Sequence, residues 1–185
     1  MDGAPSMRHL FSLISLVWLL ALPASGLQQP VVVSVYQGPC KDGDFPANLA
    51  TTRTVLEQAR ARGSHFLALP ECFLSGYESA LSVRRGARPL DDPDLRAFIA
   101  ESASHDTVIL AGLARSAGTN LFNSVLVIHR GRLLGHYDKV LLTPGDQKVL
   151  GFTPGTELPV FEAHGARFAV LICADTSYPH VAMAA

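Results

Sequence analysis

Cys173, Glu71 and Lys139 are a thiol, a carboxylate and an ammonium, side chains able to serve as nucleophile, proton-transfer group and electrophilic helper, and each occupies a place where such a group can act. Cys173 ends the apolar run Phe168–Ile172 and is followed by the small and polar residues Ala174, Asp175, Thr176 and Ser177, then Tyr178-Pro179. The run reads as a strand, and Pro179 suits the first turn of a helix. A side chain at a strand-to-helix turn faces a cleft at the carboxyl edge of a sheet, where helix N–H groups favour a thiolate. The plainer reading is a buried cysteine packing as a small hydrophobe. Glu71 follows the apolar stretch His65–Leu69 and is a candidate for the same cleft, since open α/β sheets bind ligands beyond their strand ends. Taken alone it reads as an exposed loop acid. Lys139 closes the segment Leu133 to Asp138 and can stabilise a developing oxyanion in a desolvated site; its plainer reading is a solvated strand-end lysine.

The elements that must position these groups alternate. Val31–Gln37 is valine-rich and predicts a first strand. Asp44-Phe45-Pro46 then opens a helix whose inward face carries Leu49, Thr52, Val55, Leu56 and Ala59, with Gly63 as its stop. His65–Leu69 supplies the second strand, giving a β-α-β order. Ser79 to Pro89 reads as a loop, and Asp92-Pro93 starts another helix with Leu95, Phe98 and Ile99 inward. Thr107–Ala114 and Asn123–His129 are strands, and Arg130-Gly131-Arg132 turns the chain back through Tyr137 in an antiparallel return. The fold class is therefore α/β with a mixed sheet. Thr143 to Gly155, with two Pro-Gly pairs, predicts a loop, and Leu158–Phe161 pairs with the cysteine strand through His164-Gly165.

Composition narrows the partners. Fifteen Lys plus Arg against 16 Asp plus Glu leave a formal charge of −1, and no long basic run marks a nucleic-acid groove. Cys40, Cys72 and Cys173 have neither zinc-ligand spacing nor a disulfide-dense framework, a single disulfide between two of them stays open, and Cys72 reads as packing material or a spectator. The seven histidines show no close metal-binding motif; His180 is chemically suited to pair with Cys173, but seven residues along an elbow and helix can equally turn it elsewhere. No glycine-rich loop before a helix indicates a nucleotide. Residues 1–26 stand apart. Arg8 and His9 precede the thirteen-residue apolar run LFSLISLVWLLAL, and Pro23 to Gly26 offer a small-residue exit. That order is signal-like and short for a membrane span, so residues 30–185 are expected to form the folded domain. A genuine signal implies a secreted or exported protein; otherwise the cytoplasm is expected.

The three motifs together carry more than any one. LALPECFLSGY around Glu71, GHYDKVLL around Lys139 and VLICADTSYP around Cys173 resemble, in order and context, the Glu-Lys-Cys active site of the carbon-nitrogen hydrolase family, also called the nitrilase superfamily. VVVSVYQ with the Asn48-containing helix looks like the family's opening strand and helix, and LFNSVLVIHRGRLLGHYDK looks like its central strand pair. The resemblance implies an α-β-β-α sandwich with a mixed central sheet, of which this chain carries roughly the first two thirds. It implies hydrolysis of non-peptide amides to a carboxylic acid and ammonia or an amine through a cysteine thioester. In that scheme Cys173 attacks, Glu71 moves protons, Lys139 stabilises the oxyanion, and the Ala174 backbone N–H supplies a further donor. Ala174-Asp175 after the cysteine looks closer to amidase or carbamoylase branches than to nitrilases, where Trp-Glu is expected. The family's additional glutamate has only a loose counterpart in Asp146, while Glu157 and Asp175 read as structural acids. A small amide substrate, a homo-oligomer once the domain is complete, and no cofactor or metal are expected. The alternatives are a catalytically inactive truncated relative acting as an interaction subunit, or a thioester-based N-acyltransferase.

Overall fold

The computed structural model describes residues 30–178 and Met183. The chain divides into two units, Met1–Pro30 and Val31–Ala185. The signal-like segment of residues 1–26 lies outside the described residues, as do Pro179 and His180. Among the described residues no helix is long and apolar enough to cross a membrane.

In the second unit the first strand, β1 (Val33–Val35), leads into α1 (Phe45–Ala61). Asp44 caps α1 as expected: its carboxylate accepts the Ala47 N–H at 3.1 Å, and Pro46 fills the first turn, where its missing N–H is not needed. β2 (Phe66–Ala68) follows, then α2 (Ala80–Gly86), where a loop was expected. Two serines account for that difference. Ser79 and Ser82 cap each other's backbone reciprocally and fully buried Val83 anchors the turn, a pattern easily lost among polar residues. α3 (Pro93–Glu101) starts at Asp92, whose side chain accepts from Asp94 and Leu95. β3 (Val108–Ala117), β4 (Asn120–His129) and β5 (Arg132–Asp138) then run as a meander.

The five strands form one sheet in the order β1-β2-β3-β4-β5, parallel from β1 to β3 and antiparallel from β3 to β5, so the sheet is mixed as expected. The β4–β5 turn places Arg130 at φ 48° and Gly131 at φ 75°, the left-handed pair that a two-residue hairpin of this twist demands. β6 (Val160–Ala163) and β7 (Ala166–Ala169) form a separate hairpin through His164 at φ 52° and Gly165 at φ 73°. β7 is shorter than expected. Val170 to Ile172 continue beyond the ladder because β6 begins only after Pro159, which has no N–H to extend the pairing.

Strand alternation sorts the core into layers. Leu67, Ile109, Leu113, Leu126 and Ile128 face α1 and α3, packing with Leu49, Leu56, Leu95 and Phe98. Val108 and Val127 face the other way, against Phe161, Ala163 and Phe168 of the hairpin. Helices, a five-stranded sheet and a second sheet are thus stacked in order, an α/β sandwich consistent with the αββα arrangement. The hairpin layer brings the chain back over the sheet, and Cys173 follows directly from it.

Candidate active site

Glu71 sits in a tight turn that leaves β2 and crosses β3. The crossing depends on Gly112, where a Cβ would stand 2.2 Å from the Pro70 carbonyl oxygen and 2.6 Å from the Cys72 nitrogen. With hydrogen there instead, Leu69 N–H and Leu74 N–H bond the carbonyls of Leu110 and Gly112 on either side of the turn, at 3.0 and 2.9 Å. Cys72 adopts φ 50° within it and is fully buried, its thiol donating to Asn123 Oδ1 at 3.3 Å. Burial, then the neighbouring Glu71 carboxylate, pushes that thiol well above its ordinary pKa. Cys72 is packing material, as expected.

Lys139 lies just past the end of β5, held to β4 by its N–H on the Asn123 carbonyl at 2.8 Å. Its side chain has no exposed area, against the solvated reading. The ammonium donates to Glu71 Oε1 at 2.8 Å and to Asp146 Oδ2 at 2.8 Å. Burial alone would lower its pKa, but the hydrogen bonds and charges of Asp146 and Glu71 outweigh that and hold it above the ordinary lysine value. Asp146 is fully buried in the segment expected to be irregular, which winds instead into a π-helical turn over Gly145–Leu150. The carboxylate builds that turn by accepting the Thr143 N–H at 2.8 Å, and Tyr77 donates its hydroxyl to the other oxygen. Burial opposes ionisation of Asp146; Lys139 and Tyr77 reverse the balance and depress its pKa. Tyr77, with its hydroxyl buried against Asp146, is pushed up.

Glu71 is oriented by a second donor, Asn123 Nδ2, at 2.7 Å from the same Oε1 that Lys139 holds. Among the described residues Oε2 carries no hydrogen bond, and Glu71 lines a cleft of about 320 Å³ with Cys40, Asp42, Tyr77 and Glu78. Asn123 and Tyr77 were missed at the sequence level. Asn123 stood at the start of a strand and Tyr77 in a turn, and nothing in their local spacing points to residues 52 and 69 positions away.

Cys173 is exposed and adopts φ 45°, a left-handed conformation that costs a non-glycine residue about 1–2 kcal/mol. It opens a 3-10 turn over Cys173–Ser177 rather than an α-helix at this point. Asp175 holds the elbow. It is fully buried, and its carboxylate accepts the Ile172 N–H at 3.0 Å, the Tyr137 hydroxyl at 2.7 Å and the Leu141 N–H at 2.9 Å. Tyr137 and Leu141 flank Lys139 by two residues on each side, so one carboxylate ties the cysteine turn to the segment bearing the ammonium. Asp175 is the structural acid expected; Glu157 is exposed. The structure joins Glu71 and Lys139 directly, while Cys173 makes no hydrogen bond to either among the described residues.

The arrangement is a partly exposed carboxylate, a buried ammonium with one donor left, and a thiol on a strained elbow. A family model described as carbon-nitrogen hydrolase matches residues 32–185. The N-carbamoylputrescine amidase of Arabidopsis thaliana is 30% identical over 172 residues, which are 88% of this chain and 57% of that protein. The hydrolase in the pqqF 5' region of Pseudomonas protegens is 33% identical over 151 residues, covering 80% of this chain and 52% of that protein. The chain thus spans little more than half the length of these relatives. A CN-hydrolase superfamily protein from Xanthomonas campestris, solved with an arsenic adduct in its active site, superposes with a TM-score of 0.70 at 27% identity, over 80% of this chain and 55% of that one. An amidase from Nesterenkonia sp. shares the fold with a TM-score of 0.68 at 23% identity, over 88% of this chain and 64% of its own. The family match takes in nearly the whole unit from Val31 onward, and the chain belongs to the carbon-nitrogen hydrolase family.

Proposed function

We propose that this chain carries the catalytic centre of a cysteine-dependent amide hydrolase in which Cys173, Glu71 and Lys139 do the chemistry. The observation that carries the proposal is the Lys139 ammonium, fully buried and bound to both Glu71 and Asp146. A lysine serving only stability is rarely buried between two carboxylates, because desolvating three charges costs more than a hydrophobic replacement would. An ammonium has three N–H donors, and two are committed to carboxylates. The third serves the oxyanion that forms when the Cys173 sulfur adds to an amide carbonyl, with the Ala174 N–H as a second donor.

The Glu71 oxygen left without a hydrogen bond takes the thiol proton and passes it to the leaving nitrogen. Ammonia or an amine departs, leaving a thioester. Glu71 then deprotonates a water that attacks the thioester, and the carboxylic acid leaves as the thiol is restored. Non-peptide amides are the substrate class, and the N-carbamoylputrescine amidase relative puts N-carbamoyl amines among the candidates. Intact mass spectrometry of the 185-residue chain incubated with small amides, N-carbamoyl amines and an electrophilic amide analogue tests this. An acyl mass increase that disappears in Cys173→Ala is expected. Equal labelling of the wild type and Cys173→Ala, on Cys40 or Cys72, would refute it.

A further inference from the structure

The opposite end of the sheet holds a second cluster of chemically capable groups. Asp106 precedes β3, His129 ends β4 and His164 occupies the β6–β7 turn, and one ligand-type atom from each lies within 4.8 Å of the others. The cluster lies about 20 Å from the Glu71–Lys139 end, since six residues of β4 separate His129 from Asn123 at about 3.3 Å each. We propose that Asp106, His129 and His164 form a binding site for a divalent transition-metal ion of the zinc type, clamping the β6–β7 hairpin to the five-stranded sheet.

Three observations support the assignment. First, His164 Nε2 is buried and has no hydrogen-bond partner, a costly state for a ring nitrogen that a metal bond would relieve. Second, the imidazole rings converge: His129 and His164 have centroids 5.1 Å apart, and the His129 Nε2 lies 3.2 Å from Asp106 Oδ1. Third, Asp106 is already oriented. Arg130 Nε donates to its Oδ1 at 2.7 Å, an outer contact of the sort that aims metal ligands, and leaves Oδ2 without a hydrogen bond among the described residues. Two imidazoles and a carboxylate are a donor set that suits zinc, with water completing the coordination.

His65 belongs to the cluster as a neighbour and not as a ligand. Its ring centroid is 4.9 Å from that of His164, but its Nδ1 accepts the Val32 N–H at 3.0 Å, which puts the proton of the neutral ring on Nε2. Donor atoms around a tetrahedral zinc stand about 3.4 Å apart, so the separations here must shorten on binding, by rotation of exposed Asp106 and of the turn residue His164. The ion would join three segments that are far apart in sequence. It would thereby restrain the hairpin that leads into Cys173.

The test uses the whole 185-residue chain stripped with EDTA and titrated with zinc chloride and, separately, cobalt(II) chloride. One equivalent of zinc is expected, with a thermal midpoint that rises with zinc concentration and slowed amide exchange in β6–β7. Asp106→Asn, His129→Gln and His164→Asn should each weaken zinc binding at least about tenfold, the scale on which even outer-shell losses act. Asparagine at 164 also tolerates the left-handed backbone there, and circular dichroism without metal establishes that each variant keeps the fold. Cobalt should give visible bands of an N/O site. Absence of binding, retention of affinity in folded His129→Gln or His164→Asn, or a thiolate-to-cobalt charge-transfer band would overturn the assignment.

Discussion

Replacing Lys139 by methionine tests the electrostatics of the candidate active site directly. The two side chains have similar length, so packing is nearly conserved while the ammonium is lost. What remains is Asp146, fully buried and holding only the Thr143 N–H and the Tyr77 hydroxyl, with Glu71 nearby. Breaking one partner out of a buried ion pair costs about 3–5 kcal/mol at neutral pH. That is a large share of the 5–15 kcal/mol by which domains are typically stable. The pH dependence changes sign. In the wild type the Asp146 pKa is depressed, so its contribution is complete above the unfolded carboxylate value of about 3.9 and is lost as pH falls through the lower folded value. In Lys139→Met only the Tyr77 hydroxyl and the Thr143 N–H still oppose burial, the folded pKa of Asp146 is expected to rise above its unfolded value, and stability is then regained as pH falls through it. Urea denaturation at pH 7.0 and 5.0 measures both effects. The variant should lose about 3–5 kcal/mol at the higher pH and recover part at the lower, and Lys139→Met/Asp146→Asn should recover part at both. A Lys139→Met stability within about 1 kcal/mol of wild type, or an unchanged pH slope, would refute the reasoning.

Three further outcomes are expected. Gly112→Ala forces a Cβ to within 2.2 Å of the Pro70 carbonyl oxygen, so the Glu71 turn must move; a loss of about 1–3 kcal/mol in chemical denaturation should accompany slower acylation of Cys173. Asp175→Asn exchanges one carboxylate oxygen for an amide donor facing a backbone N–H. It should cost about 1–3 kcal/mol and slow labelling at Cys173 more than at Cys40, as reported by peptide mass spectrometry. Asp138 feels burial, which raises its pKa, but His136, the Arg115 fork and Ser124 outweigh it and bring the value to about 2. Its contribution of about 2 kcal/mol is present above pH ~4 and lost as pH falls towards 2, and Arg115→Met should remove part of that acid-dependent loss in pH-stepped unfolding, His136 and Ser124 keeping the rest.

Reading the elements from sequence succeeded where a local signal and a tertiary demand coincided. Asp44 before Pro46 and Asp92 before Pro93 mark helix starts by side-chain chemistry that acts within three residues, and both helices begin there. The apolar runs of β3 and β4 were legible because both faces of these strands are buried against different layers, which leaves little polar alternation. α2 and the Gly145–Leu150 turn were read as loops because their stabilising contacts, a serine pair and the Asp146 anchor, are weak or distant as sequence signals.

The amino-acid sequence by itself determined the alternating elements, the mixed sheet and the three motifs that bear Glu71, Lys139 and Cys173. Types and order of residues suffice for that, since propensity, capping and strand alternation act over a few positions. Tertiary structure alone decided that Lys139 bridges Glu71 and Asp146, that Asn123 aims Glu71, and that Asp175 ties the cysteine elbow to the lysine segment. It also decided that Asp106, His129 and His164, which share no motif spacing, meet at the far end of the sheet. Hydrogen bonds and charge pairs depend on distances of a few ångströms between side chains many residues apart. Strand register and the crossing of turns set those distances.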